Sequence, residues 1–133
     1  KRGENVGGLF RSAHVFGAAF VATIGRRYTR EAGDTTNASR HLPLLHFADV
    51  ADCQAHLPAD CAVVAVELHQ SARPLTTFQH PERVVYVLGP ESGSVPDELI
   101  RNAFATVQIP GRYCLNLAVA GSIVLYDRVS KTP

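Results

Sequence analysis

The sequence has few cysteines, little net charge and no long apolar run. Its three cysteines, Cys53, Cys61 and Cys114, lack C-x-x-C spacing. They support neither a disulfide framework nor a zinc site, and they indicate reduced thiols in a cytoplasmic protein. The six histidines are scattered, without a pair at ligand spacing next to a carboxylate, so we expect no metal ion. No apolar run has the length of a membrane span and no secretory signal pattern opens the chain, so we expect no membrane contact.

The charge balance is close to neutral, with 13 lysines and arginines against 12 aspartates and glutamates. This argues against a strongly basic nucleic-acid module, so any contact with nucleic acid has to come from a local patch. The chain has 133 residues, of which 46% are hydrophobic, and this is the size of one domain with a real core. We therefore predict a single domain over residues 1–133.

Strand and helix patterns alternate along the chain. The first predicted helix begins after Asn5, which is suited to cap it, and ends at Gly17. The other short elements are predicted, in chain order, as strands at 19–24 and 44–47, a helix at 49–56, strands at 62–67 and 84–88, a helix from Pro96 and a strand at 107–109. This order predicts a parallel α/β sheet flanked by helices. Since such a unit normally starts with a strand, we expect the first strand to be missing from this chain.

A short strand, a Pro-Gly break and a long apolar segment follow one another from Val107 onward. Asn116 is suited to cap the final helix, because its side-chain oxygen can accept a main-chain N–H of the first turn. From Leu117 to Val129 apolar residues lie nearly all round the helix, which is typical of a helix buried on more than one side. One side can face the protein's own sheet, and the other predicts a partner subunit. The loop before the helix is a rigid seat for a ligand.

Several polar residues allow both an ordinary and a functional interpretation. The loop that begins at Gly89 follows a buried strand, where ligands bind in open α/β sheets. It matches neither the dinucleotide nor the Walker pattern, and it also fits an ordinary turn with glycines at positive φ. Taken alone, Arg11 fits a solvated surface arginine and Cys114 a small buried hydrophobe. A basic cluster is either a solvated loop or a phosphate-contacting patch with a stacking ring: Arg26, Arg27, Tyr28 and Arg30.

Three segments gain meaning when they are taken together and in order. They are N-V-G-G-L-F-R-S-A from residue 5, L-G-P-E-S-G from residue 88, and I-P at 109–110 followed by C-L-N-L-A-V-A from residue 114. They resemble the three motifs of the SpoU (TrmH-like) RNA ribose methyltransferases of the SPOUT superfamily, and the resemblance covers nearly the whole chain. It implies a C-terminal trefoil knot, a rare exception to unknotted topology. It also implies S-adenosylmethionine bound in a bent conformation, and a homodimer packed through the first and last helices.

The resemblance also implies roles for individual residues. The implied catalytic residues are Arg11, Asn5, Glu91 and Asn116. The implied cofactor-binding residues are Gly89, Ile109, Leu115, Val66, Gly111 and Cys114. The implied RNA-binding residue is Arg11, and the basic cluster in the sequence adds Arg26, Arg27 and Arg30 as candidate RNA-binding residues. Cys114 stands where the family commonly has serine, and a thiol is a weaker hydrogen-bond donor than a hydroxyl. We expect the bound cofactor to cover Cys114 and leave it inert.

The implied reaction is methyl transfer from S-adenosylmethionine to a ribose 2′-hydroxyl of tRNA or rRNA, without a metal. Because a guanidinium stays charged, we expect Arg11 to grip a phosphate beside the target ribose and not to take the proton. Glu91 and Asn116 would hold the loops and the ribose. Two alternatives stay open at this point. One is a SPOUT enzyme that methylates a base, and the other is a non-catalytic RNA-binding dimerisation module that has kept the fold.

Overall fold

The structure is a computed structural model that describes residues 2–25, 40–90 and 92–133, with the main chain only at residues 2–4. It divides into two compact units, Lys1–Leu57 and Pro58–Pro133. Five residues of the predicted sites lie outside the described residues: Arg26, Arg27, Tyr28, Arg30 and Glu91. In the part of the chain that is described, no helix has the length and apolar character needed to cross a membrane.

The first unit begins with helix α1 (Arg2–Val15). Its end has the expected form, because the amide of Ala18 donates to the carbonyl five residues back at 2.9 Å and Gly17 has a φ of 74°. Glycine adopts this left-handed conformation without strain. The start of the helix differs from the prediction. Asn5 lies inside α1 and does not cap it, because arginine and glutamate before it are good helix formers that extend α1 by about one turn.

Two parallel strands and a short helix complete the first unit. β1 (Val21–Ile24) pairs in parallel with β2 (Leu44–Phe47) over their whole length. Helix α2 (Val50–His56) follows, and the Asp49 side chain caps it by accepting the amide of Asp52 at 2.8 Å. The elements predicted for this part of the chain are confirmed, although β1 starts two residues later than expected.

The second unit is built on a four-stranded parallel sheet. Its elements are β3 (Ala62–Val66), β4 (Arg73–Pro74), a 3-10 turn (Leu75–Thr77), β5 (Val84–Leu88), α3 (Asp97–Asn102), β6 (Ala105–Gln108) and α4 (Leu117–Lys131). The strand order is β4-β6-β3-β5, and every pairing is parallel. The prediction of an α/β fold with parallel strands flanked by helices is confirmed. The described strands form two sheets and not one, and Pro96 takes the cap position of α3 instead of its first turn.

The core of the second unit brings the sheet and α4 together. Val64 on β3 and Val107 on β6 are 0% exposed, and Val124 on α4 is 1% exposed. Leu75 and Phe78 belong to the same cluster. Burial of each such side chain stabilises the fold by roughly 1.5–3 kcal/mol. A charged substitution at Val124 would therefore disturb this core and would not report on contacts between subunits.

Helix α4 has one buried face and one exposed apolar face. Gly121 and Val124 are buried, whereas Val119, Tyr126 and Val129 are 47%, 62% and 49% exposed. The three exposed residues stand at i, i+7 and i+10, so they share one side of the helix. We call them the α4 stripe. The prediction that α4 is buried on more than one side is therefore not met within the described part of this chain.

Candidate functional site

Three adjacent strands of the second unit end at the same edge of the sheet. Val66 at the end of β3 is the register partner of both Leu88 on β5 and Val107 on β6. The loops that begin at Gly89 and Ile109 therefore leave the sheet on either side of β3. Ligands of open α/β sheets bind at such carboxyl edges. The structure thus brings together Val66, Gly89 and Ile109, three of the predicted cofactor-binding residues.

Gly89 is a glycine because the loop packs closely against it. A Cβ at this position would lie 3.0 Å from the amide nitrogen of Val95 and 3.3 Å from the main-chain carbon of Ser94. Main-chain atoms this close cannot move away as a flexible side chain could. The positive-φ glycines of the described chain are Gly17 and Gly25, so the alternative interpretation of Gly89 as a positive-φ turn residue is wrong.

Glu67, directly after β3, was not among the predicted site residues. Its Oε2 accepts the amide of Val95 at 2.9 Å, and its Oε1 accepts the amide of Leu68 at 3.0 Å. Its own amide donates to the carbonyl of Val107 at 3.0 Å. In the sequence, Glu67 is a single carboxylate at the end of an apolar run, and this pattern predicts only the last residue of a strand. The bond to Val95 spans 28 residues, and no local pattern indicates it.

The loop after β6 exposes its side chains. Ile109 is half-buried, whereas every residue from 111 to 116 is exposed. Tyr113 and Leu115 are 85% and 46% exposed, so this edge offers large apolar side chains to a ligand. Cys114 is exposed as well, and its interpretation as a small buried hydrophobe is wrong, because the polar loop lies outside the core.

Asn116 caps α4 as predicted. Its Oδ1 accepts the amide of Ala118 at 2.9 Å and that of Val119 at 3.3 Å. These bonds satisfy two of the main-chain donors that a helix leaves unpaired at its start. Asn116 therefore fixes the point where the exposed loop becomes helix.

The predicted residues of the first motif lie in the first unit, on α1. Arg11 is exposed, while Phe10 and Ala13 beside it are 2% and 3% exposed in the core. This arrangement confirms that Arg11 lies off the apolar face of its helix. Asn5 is half-buried, about two turns before Arg11.

A second group of titratable side chains lies near the other end of α4. His80 Nδ1 is 2.6 Å from the hydroxyl oxygen of Tyr86, and His80 Nε2 is 2.8 Å from Asp127 Oδ2. Lys131 Nζ is 2.7 Å from the same Asp127 oxygen. Burial raises the pKa of Tyr86. Partial burial opposes ionisation of Asp127, but hydrogen bonds from Lys131 and His80 lower the pKa of its carboxyl.

The same end of α4 is also bonded to the segment before β5. Lys131 Nζ donates to the carbonyls of Leu75 and Phe78 at 2.6 and 3.1 Å. Arg128 donates to the carbonyls of Pro81 and Glu82, both at 2.6 Å. Asp127 is eleven residues beyond Asn116, about 16 Å along the helix. This network therefore holds α4 in place far from the carboxyl edge. Among the described residues, no cluster of His, Cys, Asp and Glu is arranged to hold a metal ion.

Residues 1–126 match the model of the SpoU rRNA Methylase family. The chain is also 26% identical over 134 residues to the tRNA (guanosine(18)-2′-O)-methyltransferase TARBP1 of Mus musculus. That alignment covers 92% of this chain and 8% of the mouse protein. The family match includes α1 and the loops at Gly89 and Ile109, so it contains every described residue of the candidate site.

Two solved structures share the fold. The SpoU methyltransferase AviRb from Streptomyces viridochromogenes, in complex with AdoMet, has a TM-score of 0.84 at 20% identity, over 97% of this chain and 56% of that one. The AdoMet-bound rRNA methyltransferase from Sinorhizobium meliloti has a TM-score of 0.81 at 26% identity, over 95% of this chain and 51% of that one. The chain thus spans about half the length of these solved relatives.

Proposed function

Because the chain belongs to the SpoU rRNA methylase family, we propose that it transfers the methyl group of S-adenosylmethionine to a ribose 2′-hydroxyl of RNA. The observation that carries this proposal is the family match over residues 1–126, which includes Arg11 and Asn116. The mouse relative is named for 2′-O-methylation of tRNA, and the S. meliloti relative is an AdoMet-bound rRNA methyltransferase. We therefore propose tRNA or rRNA as the substrate. A cytoplasmic location is proposed from the cysteine pattern alone.

The cofactor would lie at the carboxyl edge of β3, β5 and β6. Half-buried Ile109 and exposed Leu115 offer apolar surface to an adenine ring, while the exposed polar residues of the loop would offer hydrogen-bond partners. This is the usual composition of a small-molecule site. The residues that would hold the cofactor are Val66, Gly89, Ile109, Gly111, Cys114 and Leu115. S-adenosylmethionine supplies a methyl group already activated on a sulfonium, so the protein mainly has to align the reactants, which is worth roughly 7–11 kcal/mol.

Arg11 would act on the RNA. Arg11 is exposed on α1, and a guanidinium is a planar fork of donors that matches a phosphate, so Arg11 is suited to grip a phosphate beside the target ribose. A role as proton acceptor does not fit a group whose N–H bonds are all donors. Asn5, Glu91 and Asn116 would orient the loops and the ribose. The loop arginines at positions 26, 27 and 30 would extend the basic patch, a proposal that rests on the sequence.

We also propose that two copies associate through the α4 stripe. Its three side chains are apolar and about half or more exposed, and the family resemblance implies a homodimer and a C-terminal trefoil knot. Tyr126→Glu should then give monomers by light scattering without loss of the fold by circular dichroism. If the unchanged protein is itself a monomer that methylates RNA, the dimer proposal is wrong.

The function is tested by incubating the protein with total RNA and S-adenosylmethionine labelled on the methyl group. Alkaline hydrolysis needs a free 2′-hydroxyl, so label in alkali-resistant dinucleotides would support ribose methylation. Label in modified mononucleotides would show base methylation instead. Binding of S-adenosylmethionine without any transfer, across RNA from several sources, would favour a non-catalytic module.

A further inference from the structure

We infer that Glu67 is a positioning residue that keeps the two ends of the loop after β5, at Gly89 and Val95, in the arrangement that binds the cofactor. This inference rests on the proposed function, since it assumes that S-adenosylmethionine lies at the carboxyl edge. Glu67 follows β3, the strand between β5 and β6. From this position Glu67 can contact the loops that follow the strands on both sides.

One carboxylate oxygen is near both ends of the loop. Oε2 of Glu67 accepts the amide of Val95 at 2.9 Å, where the loop ends. The same oxygen is 3.4 Å from the point where a Cβ of Gly89 would stand, where the loop begins. Val95 is 2% exposed, so in the folded protein its amide depends on the carboxylate and not on water. Without Glu67 this donor loses its partner, and the loop has to move or admit water to satisfy it.

The remaining contacts of Glu67 fix its own position. Oε1 accepts the amide of Leu68 at 3.0 Å, which holds the carboxylate in one orientation. The Glu67 amide donates to the carbonyl of Val107 at 3.0 Å, two residues before Ile109. Glu67 thus bonds to Leu68 just after β3, to Val107 near the end of β6 and to Val95 at the end of the loop after β5. It therefore links the carboxyl ends of the strands at which we propose that the cofactor binds.

A carboxylate suits this position better than an amide. Both oxygens accept main-chain amides, and a carboxylate has two acceptor oxygens, whereas a glutamine has one oxygen and one NH₂ donor. Glu67→Gln would keep one of the two bonds and set the NH₂ group against the other amide. Glu67→Ala would lose both bonds. The glutamine variant should therefore lie between the unchanged protein and the alanine variant.

The test measures the dissociation constant for S-adenosylmethionine by calorimetry, well below the melting temperature, with kcat and KM for methyl transfer to RNA. In Glu67→Ala the cofactor should bind at least about tenfold more weakly, and Glu67→Gln should show a smaller loss in the same direction. The KM for RNA should change little. Glu82→Ala, which removes an exposed carboxylate before β5, is the matched control and should bind like the unchanged protein.

The outcomes separate this role from simple stabilisation. A lower Tm with unchanged cofactor affinity would show that Glu67 is only structural and would overturn the inference. If Glu67→Ala does not fold, the glutamine variant decides, and affinity equal to that of the unchanged protein overturns the inference. If the unchanged protein binds no S-adenosylmethionine, the proposed cofactor itself is wrong and this role falls with it. That result differs from the one in which the unchanged protein and the Glu67 variant bind S-adenosylmethionine equally well, which would overturn only the role of Glu67.

Discussion

The two ends of helix α4 are built in opposite ways. At its start, residues 111–116 are exposed and the cap by Asn116 ties the loop to the helix. At its end, Asp127 bonds to the His80 side chain, and Arg128 and Lys131 donate to main-chain carbonyls between residues 75 and 82. His80, the centre of that network, has a side chain only 3% exposed.

Along this one helix, the residues that stabilise the fold are therefore different from the residues proposed to bind a ligand. The C-terminal end of α4, at Asp127, Arg128 and Lys131, is bonded to the segment of residues 75–82 before β5, 46 to 56 positions away in the sequence. We call it the closed end. The start of α4 together with residues 111–116 is the open end, where exposed polar and apolar groups stand on a rigid support and can contact a ligand. We therefore expect substitutions at the closed end to lower the free energy of unfolding, and substitutions at the open end to lower binding or methyl transfer.

The largest effect is expected from Arg11, which lies outside both ends. Arg11→Ala should reduce methyl transfer by orders of magnitude and leave the affinity for S-adenosylmethionine within a few-fold. The reason is that Arg11 is proposed to contact RNA, while the carboxyl edge of β3, β5 and β6 is proposed to bind the cofactor. Labelled transfer and calorimetry measure the two effects, and Arg101→Ala controls for loss of one exposed positive charge. Normal turnover in the Arg11 variant would remove Arg11 from the site.

At the closed end, Asp127→Ala should lower the free energy of unfolding by about 2 kcal/mol, because it leaves His80 and Lys131 without their shared acceptor. The affinity for S-adenosylmethionine, measured well below the melting temperature of the variant, should stay unchanged. Asp60→Ala is the matched control. Its ion pair with Arg83 is exposed, with both side chains more than 60% accessible, so it should cost about 0–1 kcal/mol. Equal losses in urea titrations of the two variants would contradict the assignment of a closed end.

The closed end also predicts a pH dependence. The pKa of Asp127 is lowered in the folded protein from its ordinary value of 3.8. Its contribution to the free energy of unfolding is therefore fully present above that ordinary value and is lost as the pH falls towards the lower folded-state pKa. Urea titrations between neutral and acidic pH should show this loss in the unchanged protein and not in Asp127→Ala.

At the open end, Asn116→Ala should cost about 1 kcal/mol of stability through loss of the cap. Asn116→Asp keeps an acceptor for the amides of Ala118 and Val119 and should preserve that stability. If the amide group also orients the ribose, the aspartate variant should still lose methyl transfer. An aspartate variant with full transfer would restrict Asn116 to capping. Thermal melts and transfer assays on the same samples distinguish these results.

The smallest effect is expected from Cys114. Cys114→Ser restores the hydroxyl common in the family and should leave both stability and transfer near those of the unchanged protein. Because Cys114 is exposed at the proposed cofactor site, S-adenosylmethionine should also protect it from alkylation. Loss of transfer in the serine variant, with cofactor binding intact, would indicate a covalent role and favour methylation of a base.

Local features of the chain were predictable from the sequence. The strand at 84–88 and the cap at Asn116 depend on neighbouring residues, and the structure confirms both. The predicted burial of that strand is wrong, because β5 stands at the edge of the described sheet and its residues are half-buried. Features that depend on distant contacts were not predictable. The bond from Glu67 to Val95 and the His80 network join residues 28 and 47 positions apart.

Two other predictions were wrong, one about the start of a helix and one about the exposure of a side chain. The residue type of Asn5 predicts a cap, but a longer helix overrides this preference. The residue type of Cys114 predicts burial, whereas its loop lies outside the core. Exposure is set by the fold around a residue and not by the residue type.

We propose that the carboxyl edge, including the open end of α4, binds S-adenosylmethionine, while the closed end anchors the helix. Amide hydrogen exchange on the whole chain, with and without S-adenosylmethionine, distinguishes the two roles. Exchange should slow in residues 89–95 and 109–119 and stay unchanged in residues 75–83 and 127–131. Slowing confined to residues 127–131, or none in residues 89–95, would contradict this proposal.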